Sequence, residues 1–170
     1  MGLDMYAYTI DSNLIDEEWE TDCPVYKFAR RAVGFIDLTD DEVDNLSEAD
    51  RKAYWSKRFD ADNKAKEKGI FDPNFYYWRK FNALHGWMSD LYFAKGGTDM
   101  DFNCNTVRLT LDDLENLMLT AEKGKLKPTE GFFFGKQVIE PEDLESLFDF
   151  AYKAKEQIRN GKAVFYDSWY

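Results

Sequence analysis

The residues best equipped for chemistry stand together between Tyr77 and Met88, where YWRKFNALHGWM holds the chain's single histidine, two tryptophans, an arginine and a lysine. A purely apolar core has no use for Arg79, Lys80 and His85, and a plain solvent face has none for Trp78 and Trp87. His85 titrates near neutrality and could act as acid, base or ligand, although a histidine beside a helix's apolar stripe also serves as a hydrogen-bonded partial-core residue. Arg79 and Lys80 precede an expected helix start, where backbone donors could help them hold a phosphate or carboxylate. The plainer role for Arg79 is an ion pair with Asp4 or Asp167.

Asp4 and Asp167 each interrupt an aromatic strand, and an unpaired buried charge there is costly. If the two strands are neighbours, both acids are expected to converge with Arg79, His85 or Arg108, as a structural network or as a polar pocket floor. Asn103, Asn105 and Arg108 could supply planar hydrogen bonds while Trp78, Trp87 and Trp169 stack on a ring, or the same residues could be turn chemistry and aromatic core. Ser168 beside Asp167 completes the expected ligand-binding set, but without a GxSxG elbow it is no serine nucleophile.

Composition limits what this set can do. The 22 basic and 33 acidic side chains leave a net charge of -11, which gives phosphate-backbone binding no support, so nucleic acid is not an expected partner. Cys23 and Cys104 are far apart and lack metal-ligand spacing, so they read as reduced thiols with no metal and no cofactor implied. No run of ~18 apolar residues and no secretory signal is legible, and the expected location is the cytoplasm, with no membrane partner.

The elements that must position these residues are readable in part. LDMYAYTI, residues 3–10, and AVFYDSWY from Ala163 suit strands; Cys104–Leu109 suits another. Asp72 and Pro73 are expected to break the chain before an extended FYYW. Capping signals at Ser47/Asp50 and Thr110/Asp113, Asn82 as a cap, and Pro141 at a helix start mark four helices, stopped at Gly69, Gly124, Gly96 and Gly161. GFFFG at 131–135 reads as a short core strand. Residues 11–50, acidic around VYKFARRAVGFIDL, are the least legible, and the helix from Glu48 carries a basic excess that either docks an anionic partner or pairs with that acidic stretch. The expectation is one α+β domain over residues 1–170: a sandwich of a short mixed or antiparallel sheet with four or five helices.

MGLDMYAY, YYWRK, LHGWM, KGG with FNC, VRLTLDDL, GFFFG and the closing KAVFYDSWY together resemble a widespread family of small uncharacterised bacteriophage and bacterial proteins, some of whose members are labelled phosphoglycerate kinase. The resemblance covers residues 1–10 and 75–170; the charged stretch at roughly 11–74 is longer than the family's connection, and Phe81, Asn82 and Ala83 stand where His-Pro-Asn is typical. The kinase label does not carry over, because neither GxxxxGK[ST] nor GxGxxG is present. The resemblance implies a phage-type protein of host cytoplasm with a shared polar and aromatic pattern. From the residues, the first expectation is non-enzymatic binding of a small anionic or nucleotide-like ligand or of a host protein. Two alternatives are an enzyme acting on a phosphorylated metabolite or nucleotide, with His85 as acid or base, and an acidic mimic or adaptor working through its surface.

Overall fold

A computed structural model describes residues 2–16, 18–130 and 138–170; the GFFFG segment lies outside the described residues. Strands β1 (Asp4–Asp11), β2 (Phe71–Arg79), β3 (Val107–Leu109) and β4 (Lys162–Trp169) form one antiparallel sheet in the order β2-β1-β4-β3. The described residues include six α-helices: α1 (Val25–Ala32), α2 (Asp40–Asp44), α3 (Glu48–Glu67), α4 (Asn82–Ala94), α5 (Leu111–Glu122) and α6 (Pro141–Arg159). The fold is α+β as expected, with more helix than the sequence promised because α1 and α2 lie in the illegible stretch.

Side chains alternate along a strand, and this sheet is buried on both faces. Met5, Ala7, Trp78, Val164 and Tyr166 face one core, packed with Leu84 and Met88 of α4, Leu114 and Leu117 of α5, and Leu147, Phe150 and Ala151 of α6. Tyr8, Ile10, Phe71, Ala163 and Phe165 face the other, under Val25 and Ala29 of α1 and Ala65 of α3. The result is three layers: helices, sheet, helices.

Local signals set most boundaries. Ser47 accepts from the Asp50 N–H to start α3, Thr110 and Asp113 close a reciprocal capping box on α5, and Pro141 opens α6. Thr39 and Glu42 form a further capping box that starts α2. Gly97 lies against the Tyr92 ring, where an added Cβ would stand 2.2 Å from a ring carbon.

Three expectations are corrected. Asp72 and Pro73 lie inside β2 and do not break it; β2 is an edge strand, where a proline forfeits no ladder bond on its open side. Asn82 does not cap α4: Phe81 occupies that position, and the buried Asn82 side chain accepts from the Thr129 N–H at 3.2 Å. The strand expected from Cys104 begins only at Val107, because Phe102 and Cys104 adopt left-handed backbone at φ 43° and 61°.

Candidate functional site

Period-two alternation divides the expected site. Tyr166 and Asp167 are adjacent on β4, so their side chains leave opposite faces. His85 is 2% exposed on α4, with Nδ1 3.1 Å from the Tyr166 hydroxyl and its ring stacked on Phe102. Asp167 is on the other face, where its Oδ2 accepts from the Tyr8 hydroxyl. The cluster expected to join His85 with Asp4, Asp167 and Arg79 therefore does not form, because the sheet stands between them. Asp4, Arg79 and Asp167 do share a face: Tyr77 donates to Asp4 at 2.5 Å, and Arg79 Nε lies 3.8 Å from the same carboxylate. Arg79 is largely exposed, so that pair is a weak surface contact.

The other expected residues are mostly structural. Trp78 is buried and donates from Nε1 to Ser146 Oγ at 2.6 Å. Trp87 packs half-buried against the same core. Lys80 has left-handed backbone and donates its N–H to the Leu3 carbonyl. Asn103 clamps Tyr170 through both backbone groups, and Asn105 donates to Asp22 Oδ1 at 2.8 Å. Arg108 carries backbone bonds to Glu20 and Lys95, while buried Ser168 donates its hydroxyl to the Phe102 carbonyl.

The cleft that the fold does build lies between the β1–β4 face and α1, α2 and α3, with a volume of about 650 Å³. Asp167 and Tyr8 contribute from the sheet, Tyr26 and Arg30 from α1, Trp55 and Arg58 from α3, and Cys104 and Thr106 from the β3 approach. A smaller cavity of about 260 Å³ shares Tyr8, Tyr26, Cys104 and Asp167 with it, so the two spaces meet at Asp167. Most of this lining was missed in the sequence. The available signals were the equal parity of Asp4, Tyr6 and Tyr8 along β1 and the two arginines inside the apolar spacing of VYKFARRA.

The cleft walls are stiffened by ion pairs and rings. Buried Arg30 bonds Asp37 and Asp62, each at 3.0 Å, and Arg58 Nε lies 3.2 Å from the other Asp37 oxygen. The Arg58 guanidinium also covers Trp55 at 4.9 Å, and Tyr26 packs edge-on against Phe71 and Tyr8. Asp22, Phe102 and Cys104 all hold positive φ around the β3 approach, backbone strain of the sort that accumulates at binding sites.

Protonation states narrow the chemistry. Burial pushes the Asp167 carboxyl up to about 6 against the opposing hydrogen bonds from Tyr8 and the Ser168 N–H. Burial raises the Cys23 thiol to about 12, and burial followed by the Asp167 charge raises Tyr8 and Cys104, so these groups stay protonated at neutral pH. The only histidine lies across the sheet from Cys104 and so cannot activate its thiol, while Ser168, on the same face as His85, donates its hydroxyl to the Phe102 carbonyl. Among the described residues there is no group of three or more His, Cys, Asp or Glu placed to hold a metal, and no helix long and apolar enough to cross a membrane. Comparison with protein-family models, curated proteins and solved structures returns no match to this chain.

Asp167 and His85 should give opposing pH dependences. Asp167, raised from 3.8 to about 6, contributes stability that is present below pH 3.8 and lost as pH rises through 6. His85, which burial lowers from 6.5 to about 4, contributes stability present above pH 6.5 and lost as pH falls through 4. Each effect is of order 3 kcal/mol, so they largely cancel in the native protein. Asp167→Asn removes one of them: its unfolding free energy relative to the native chain should rise by about 3 kcal/mol between pH 4 and pH 7 in urea titrations. A difference independent of pH would show that Asp167 is not desolvated.

Proposed function

We propose that the protein is a non-enzymatic binding protein that holds a small nucleotide-like ligand in the cleft between the sheet and α1–α3. The observation that carries this reading is the half-buried Asp167 carboxyl at the junction of the two cavities, held by Tyr8 and walled by Tyr26 and Trp55. A concave space with aromatic walls and convergent polar groups suits a small molecule, and its volume falls within the ordinary range for such sites. An anionic tail on such a ligand would meet Lys27, with Asp37, Asp40 and Asp44 lining the same cleft. Among the described residues lining the cleft no imidazole stands beside a nucleophile, which favours binding over turnover, and this reading makes no use of His85. The motif resemblance supports a phage or bacterial origin and action in the host cytoplasm.

Native mass spectrometry of the protein purified from expressing cells, paired with thermal shift against nucleosides and nucleotides, tests this. A small-molecule adduct, or a rise in melting temperature that Trp55→Ala reduces, is the expected result. A bare mass with no shift at saturating concentrations would sink the cleft reading, and a co-purifying polypeptide in its place would favour a host-protein partner.

A further inference from the structure

We infer that the cleft selects planar groups presenting two adjacent N–H donors, either a guanine-type ring edge or a guanidinium, and that the Asp167 carboxylate reads them. This rests on the cleft being the binding site.

An ionised carboxylate is acceptor-only, with about four lone-pair sites on its two oxygens. Oδ1 of Asp167 accepts from the Ser168 N–H at 2.6 Å, and Oδ2 accepts from the Tyr8 hydroxyl at 2.5 Å. These bonds tie both oxygens to the scaffold, and each oxygen retains capacity for a further donor. The carboxylate borders both cavities, so that capacity lies where a ligand would sit. Among the described residues no lysine or arginine forms an ion pair with Asp167, whereas the cleft's guanidiniums are engaged, Arg30 by Asp37 and Asp62 and Arg58 by Asp37. The carboxylate is therefore matched by donors, and two parallel N–H groups are the partner a carboxylate binds bidentately. Tyr26 and Trp55 keep 39% and 46% of their surface exposed at the wall, which suits a flat partner. Arg58 on Trp55 already shows such stacking within the cleft.

Isothermal titration at pH 7.5 with guanosine, inosine, adenosine, agmatine and putrescine tests the selection. Inosine lacks the second donor of guanosine, adenosine presents an acceptor at that edge, and putrescine has the two positive charges of agmatine without the planar fork. Guanosine is expected to bind at least tenfold tighter than inosine and adenosine if the ring is the target, or agmatine tenfold tighter than putrescine if the guanidinium is. Asp167→Asn should remove the preference in either case. Equal affinities within both comparisons, or a preference that survives Asp167→Asn, would overturn the inference while leaving the cleft reading intact, provided binding still falls on Trp55→Ala. No heat from any of the five would sink both. The comparison among ligands on the native chain stands even if the variant fails to fold.

Discussion

Deletion of Tyr166–Tyr170 is expected to abolish cooperative folding. β4 lies inside the sheet, and the deleted residues supply its pairing with Asp4, Met5, Tyr6 and Ala7 of β1 and with Val107 of β3. Tyr166 is fully buried, and loss of one such ring to alanine costs about 3 to 5 kcal/mol by itself. The same cut takes the hydroxyl that meets His85, the Ser168 carbonyl that accepts the Cys104 N–H, and the backbone groups clamped by Asn103. Against a total stability of about 5 to 15 kcal/mol, these losses leave no folded population. Circular dichroism through a denaturant titration checks it: a sigmoidal transition with a midpoint near that of the full chain would mean that β4 is dispensable.

Arg30→Ala is expected to destabilise the protein by about 3 to 5 kcal/mol, far more than Arg58→Ala. Arg30 is 4% exposed and is held by carboxylates from two other parts of the chain, Asp37 in the loop after α1 and Asp62 on α3. Its removal strips Asp62, whose side chain is 30% exposed, of this ion pair and leaves buried Asp37 with Arg58 alone, and losing one member of a buried pair costs more than the pair itself contributes. Arg58 shares Asp37, but its side chain is 32% exposed, so its loss is screened by water and should cost about 1 kcal/mol or less. Urea midpoints of the two variants decide it, and equal small shifts would show that the Arg30 network does not hold α1 to α3.

The sequence by itself determined the features whose causes are local. The Ser47 and Thr110 caps, the proline opening α6 and the glycine stops are interactions within one helical turn, so the starts of α3, α5 and α6 are legible without knowledge of the rest. The aromatic strands at residues 3–10 and from Ala163 are legible for a similar reason, since β-branched and aromatic runs bounded by turns favour extended backbone. Strand parity was also available there, because adjacency of Tyr166 and Asp167 already assigns them to opposite faces.

Only the tertiary structure decided which face each helix covers, and that placed the cleft. His85 and Asp167 both border aromatic strands in the sequence, yet α4 packs on the Tyr166 side and α1 and α3 on the Asp167 side. Nothing local chooses between these faces, since both are apolar and both need cover. The stretch from residue 11 to 50 looked illegible because α1 is held by partners distant in the chain: Arg30 reaches Asp62, and Cys23 accepts through its carbonyl from Thr106. Such bonds link residues whose neighbourhood exists only after the sheet has formed. Asp167 shows the same dependence, for a carboxylate in an aromatic strand becomes the floor of a cleft only where Tyr8 on the neighbouring strand and Tyr26 on α1 are brought against it.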